Sequence, residues 1–194
     1  MAATYESMTD AAVGILEKAI KAKPKDTKAR TDLHKKANAA LKDLQKYIVD
    51  KVAEYSKKID QSTQILEEAF GVASSEAGLR DREIVRHLKH AIKLSQDIDR
   101  PKGWTDDFDK AVKTVASWDP KGEKVDELKQ GIKSLEAGKK CVATNLAATH
   151  KQMVECNGYV DKAIMDLDDL KDEKLAAKIT PYLNRYAAYF KSPS

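Results

Sequence analysis

Glu83, His87 and His90 stand at i, i+4 and i+7, so on a helix they share one face, with Asp97 two turns further on. Histidine and carboxylate side chains at that spacing are the ligand types of a zinc site. Such a site draws further ligands from a facing helix, and the chain has no second histidine cluster. The three residues are carried as a candidate metal site, against the ordinary alternative of solvated histidines beside an apolar stripe. From Gly131 to Gly138 six residues separate the glycines where a phosphate-binding loop needs four, and Lys140 stands where that loop needs Ser or Thr. Asp166, Asp168, Asp169, Asp172 and Glu173 form the densest acidic patch. Counted as a calcium loop from Asp166, its sixth and twelfth positions are Lys171 and Ala177, not Gly and Glu, so it reads as a solvated helix end. No nucleophile elbow, glycine-rich dinucleotide loop or HExxH occurs. The expectation is a non-enzymatic protein without a cofactor.

Two stretches have the composition of a binding surface. From Lys18 to Lys58 there are thirteen basic and five acidic residues, and Lys35, Lys36, Lys42 and Lys46 stand at its centre. Such an excess suits an acidic protein or anionic lipid headgroups. Asp26, Asp32, Asp43 and Asp50 interrupt it, Glu17 stands just before it, and a solvated outer helix face is the plainer account. Nucleic acid is not favoured, because only Tyr47 and Tyr55 lie among the lysines and both fall near an apolar seam. At the other end, Tyr182, Tyr186, Tyr189 and Phe190 crowd the last thirteen residues. They are expected to dock on a bundle end with rings buried and hydroxyls wet, or else to present an aromatic patch to a partner.

The elements that must carry these residues are helices. In steps of three and four, the stretch from Val125 to Leu170 gives fourteen positions, of which twelve are apolar; the exceptions are Lys139 and Thr149. A period of 3.5 held across roughly six heptads marks a helix with one buried seam, about 70 Å long at 1.5 Å per residue. A second seam runs from Leu33 through Leu41, Leu44, Ile48 and Ile59 to Ala73, with Asp26 or Thr27 as its cap and Gly78 at its end. Asp81 opens a third segment, which Pro101 and Gly103 break, and Thr105 caps a short helix beyond. Residues 7–22 form a first amphipathic helix ended by Pro24, and Thr180-Pro181 look like the start of a last one. Gly131, Gly138, Lys139 and Asn157-Gly158 are the weak points of the 125–170 helix. No internal repeat or low-complexity tract is apparent.

The expected fold is all-α: an elongated antiparallel coiled-coil-like bundle of three long helices (27–77, 79–118 bent near 101, and 123–172) in a single domain, 1–194. The N-terminal helix of 1–24 and the tail of 180–194 are appended to it. Leu44 and Leu146 belong to its core. Charged residues at 34% and aromatics at 6% fit long helices better than a β-rich chain. Cys141 and Cys156 would lie about 22 Å apart on one helix, too far to pair. Reduced thiols, no signal peptide and no transmembrane run favour a cytoplasmic location, a secreted mature form without its leader being the alternative. The leading function is a scaffold or receptor-type helical bundle that binds a protein partner, with a homo-oligomer as one form of that. The alternative is a module binding an anionic membrane surface, similar in architecture alone to BAR-type membrane-curving modules.

Overall fold

The computed structural model describes residues 4–80 and 82–191, the side chains at 190 and 191 excepted. Six helices and no strand are present among these residues, so the fold is all-α: α1 (Tyr5–Lys21), α2 (Thr27–Ser75), α3 (Glu83–Gln96), α4 (Asp106–Ala116), α5 (Asp126–Asp168) and α6 (Glu173–Lys191). Asp81 and the side chain of Phe190, both singled out above, lie outside the described residues.

Local signals account for most helix starts. Thr4 and Ser7 cap α1 reciprocally, the Ser7 amide donating to Thr4 Oγ1 at 3.3 Å and the Thr4 amide to Ser7 Oγ at 3.0 Å. Asp26 caps α2 by accepting from the Ala29 amide at 3.1 Å. Thr105 stands at the N-cap of α4 but makes no side-chain cap bond. The last helix starts seven residues before Thr180, because Asp172 accepts from the Leu175 amide at 3.1 Å and Glu173 supplies an acidic first turn. Pro181 therefore falls inside α6, where Ile179, Leu183 and Tyr186 hold one buried face across it. Asn157-Gly158 does not break α5.

The chain forms two compact units. The first, Met1–Ala53 with Pro101–Asn145, takes in α1, α4 and the opening parts of α2 and α5. The second, Glu54–Arg100 with Leu146–Ser194, takes in α3, α6 and the closing parts of α2 and α5. Each thus packs four helical segments. The expected third arm is two separate helices, α3 and α4, one in each unit.

Every seventh residue of α5 from Leu128 is buried: Leu135, Val142, Thr149, Cys156 and Ala163 follow it, and Leu170, just past the helix end, keeps the spacing. The companion row differs from the expected one in the first unit. It runs through Gly131 and Gly138, both buried, while Ile132 and Lys139 are half-buried, as is Leu146 where the second unit takes over α5. A Cβ on Gly131 would stand 2.5 Å from Val115 Cγ2, and one on Gly138 would stand 2.8 Å from the Phe108 ring. Phe108 and Val115, seven apart on α4, are thus knobs seated in two glycine holes seven apart on α5, in antiparallel order. The glycines are the contact that lets α4 approach. Gly78 works the same way in the second unit, where Leu175 Cδ2 lies 2.8 Å from the place of a Cβ; its φ is not positive, so it is no left-handed cap.

A short internal repeat lies hidden at the ends of α3 and α4. Ala91-Ile92-Lys93 followed by Asp99, Pro101, Lys102 and Gly103 matches Ala111-Val112-Lys113 followed by Asp119, Pro120, Lys121 and Gly122, with Arg100 inserted. Burial repeats too: Leu88, Ala91, Ser95 and Ile98 correspond to Phe108, Ala111, Val115 and Trp118. The capping amides of Asp97 and Ser117 bond to the equivalent carbonyls of Lys93 and Lys113.

Gly131→Ala and Gly138→Ala are expected to destabilise by about 1–3 kcal/mol through overpacking, even though Ala gains roughly 1 kcal/mol of helix propensity. Gly158, with nothing within 4 Å of a Cβ, should gain about 0.5–1 kcal/mol as Ala. Urea titration of the three variants checks this, and a shared sign would refute the knob-and-hole packing. Leu44, 0% exposed, should cost about 2–5 kcal/mol as Ala. Half-buried Leu146 should cost about half as much in the same titration.

Candidate functional site

The three candidate metal ligands have three different contacts. Glu83 pairs with Arg86 one turn along α3. The Nδ1 of His87 lies 2.8 Å from Asp166 Oδ2 on α5. His90 stacks on the Tyr159 ring at 5.0 Å and 12°, with Lys162 Nζ 4.6 Å from the same ring centre. Among the described residues no group of three or more His, Cys, Asp or Glu side chains is placed to hold a metal. Asp97 ends α3 as its C-cap. Of the acidic patch, Asp166 serves His87 and Asp172 caps α6, while Asp166, Asp169 and Glu83 line an open surface cleft of about 210 Å³.

The tyrosine tail divides. Tyr186 is 2% exposed, so it belongs to the core and not to a surface. Its hydroxyl is not wet either: it donates to Asn157 Oδ1 at 2.8 Å and lies 3.4 Å from Cys156 Sγ, which reaches the Ala91 carbonyl at 3.3 Å. Burial pushes both the Tyr186 phenol and the Cys156 thiol up, the latter partly offset by its bond to Tyr186. A thiol kept protonated in this way is a poor nucleophile. Tyr189 donates to Gln61, and Tyr182 packs half-buried on the core. The ion pairs Arg185–Glu68, to α2, and Lys178–Glu76, to the residue just past its end, each 2.7 Å, fasten the same helix from outside.

A buried cation went unread in the sequence. Arg30 is 1% exposed; its Nη1 donates to the Gly122 carbonyl at 2.6 Å, and its guanidinium sits 5.0 Å from the Trp118 ring centre. Nε and Nη2 are buried without a partner. Trp118 is held in turn by its indole N–H on the Lys124 carbonyl at 3.0 Å. His34 meets the Trp118 ring edge-on at 5.3 Å and contacts the Val115 carbonyl through Nε2 at 2.9 Å. The signal was available: Arg30 extends the row of Leu33, Ala37 and Leu41 backwards, so a helix starting at Thr27 must bury it.

The lysines are ordered better than their interruption by aspartates suggested. At 100° per residue, Lys28, Lys35, Lys42 and Lys46 fall within about 40° of one another on α2, whereas Lys36 is turned away by about 100°. All five are exposed, and none is in an ion pair with another described residue. Lys139, by contrast, is used inside the first unit: its Nζ meets Asp10 Oδ1 at 2.6 Å beside a groove of about 440 Å³ between α1 and α5. In that groove burial, then a bond to Glu6, pushes the Tyr5 phenol up to about 12.

Because the Arg30 charge is compensated by one carbonyl and a ring face, an apolar side chain of similar volume should replace it well. Arg30→Met is expected to stay within about 1 kcal/mol of the parent or exceed it, as for other buried charges replaced by apolar groups. Arg30→Ala should cost about 2–5 kcal/mol for the cavity. Thermal and urea unfolding of both variants would expose a wrong assignment by showing Met as harmful as Ala. Set against known proteins, the chain matches no family model, no curated protein and no solved structure.

Proposed function

We propose that this chain is a non-enzymatic interaction module whose first unit presents the outer face of α2 to a protein partner. One observation carries the reading: Lys28, Lys35, Lys42 and Lys46 form a straight, exposed and unpaired row. Charges held in a line on a rigid helix, without internal partners, steer and register a complementary surface. Several groups able to do chemistry are meanwhile engaged within the fold. Cys156 and Tyr186 satisfy each other in the core, His87 is joined to Asp166, and His34 is lodged on a helix end.

The rival reading, a membrane-surface module, draws on the same lysine row. Among the described residues no helix is long and apolar enough to cross a membrane, so on that reading attachment would rest on headgroup charge. Two measurements separate the readings. A photo-crosslinking side chain in place of Ala39, at the edge of the row, should give a discrete protein adduct in cells, and one in place of Lys151 should not. The purified chain should not sediment with phosphatidylserine-rich vesicles at physiological salt. Salt-sensitive sedimentation with no adduct from position 39 would overturn the proposal in favour of the membrane.

A further inference from the structure

We infer that the occupant of this face is an acidic amphipathic helix lying lengthwise along α2, an inference that rests on the protein-interaction reading above. Positions 28, 32, 35, 39, 42, 46, 49 and 53 advance by alternating steps of four and three, and all eight are exposed. That is the alternation of a heptad seam, here on the side of α2 opposite to its core row. It runs about 37 Å at 1.5 Å per residue, entirely inside the first unit. Its content is graded. Lysines dominate from Lys28 to Lys46, and the far end is Val49, 47% exposed, with Ala53. Val49 is one of three large apolar side chains left exposed among the described residues.

Charge complementarity selects the occupant. A partner helix with carboxylates facing the lysines, a neutral or basic residue facing Asp32 and apolar residues facing Val49 and Ala53 would match the gradient along its whole length. Small Ala39 leaves a hollow between Lys35 and Lys42, and Ala53 one beyond Val49, for side chains of such a helix. An anionic bilayer fits less well. Asp32 lies in the seam and Asp43 and Asp50 flank it about 60–80° round the helix, where a uniformly negative surface would be repelled. The face also has no Trp, Phe or Leu to enter a headgroup layer. A nucleic acid would find no aromatic side chain in the row to stack on.

The test uses the full chain and two labelled synthetic helices of about 25 residues, matched to the seam length. One carries Glu opposite the four lysines and Leu opposite Val49 and Ala53; the other carries Lys in place of Glu. Fluorescence anisotropy should show the Glu peptide binding the parent, at least about tenfold more weakly at high than at low salt. It should lose about tenfold or more with Lys35→Glu/Lys42→Glu, which should bind the Lys peptide instead, while circular dichroism shows both proteins equally helical. Failure of the Glu peptide to bind, or equal binding to parent and variant, overturns the acidic-helix inference. An adduct from position 39 that persists in the double variant overturns it too, while sparing the interaction reading. Vesicle sedimentation with neither peptide binding nor an adduct from position 39 removes both.

Discussion

The column of every seventh residue on α5 is the constraint on which both units depend. From Leu128 to Ala163 it never surfaces, Leu170 continues it just past the helix end, and each unit takes part of it. In the second unit Cys156, Ala163 and Leu170 join Leu66, Leu88, Ile179 and Leu183 in one apolar cluster. In the first, Leu128, Leu135 and Val142 do the equivalent work beside Phe108 and Val115. A residue on this column cannot change face without displacing a whole row, because the helix fixes the angle between neighbours. The outward faces of the same helices carry no such burden, which is why lysines can be lined up there.

Arginine fastens a turn to α2 in each unit, by opposite routes. In the second unit Arg100, the residue inserted into the repeated turn, bonds the Ile98 carbonyl and Asp60 on α2, both at 2.8 Å. In the first unit the arginine comes from α2 itself, Arg30 reaching the Gly122 carbonyl of the matching turn. The exposed pair is screened and replaceable, whereas the buried guanidinium must be housed by a ring and a carbonyl. Ile98 and Trp118 occupy corresponding places, and the larger ring stands where a cation has to be covered.

Much of the fold was legible because apolar spacing reports helices directly: α2 and α5 fall within three or four residues of where periodicity put them. What periodicity could not report was which row faces a neighbour closely. Ile132 and Lys139 fall on the three-and-four step of the seam, yet Gly131 and Gly138 take the Val115 and Phe108 side chains. Hydrophobicity has no symbol for a hole. The last helix was misplaced because Pro181 suits a helix start, while the stronger acidic cap at Asp172 lay upstream. The repeat escaped notice because Arg100 shifts its register by one. Among the site residues, counting charges concealed the line formed by Lys28, Lys35, Lys42 and Lys46, and counting tyrosines concealed that Tyr186 is core.

The burial of Cys156 gives the molecule a natural clock. Cys141, in the first unit, is partly accessible, with its sulfur 3.2 Å from Asn145 Nδ2, so an alkylating reagent can reach it in the folded state. Cys156 is sealed in the second unit and its thiol is held protonated by burial, so the same reagent must wait for that unit to open. The chain therefore carries a fast and a slow thiol, one in each half. The delay between their modification reports how readily the second unit opens, without any label being added.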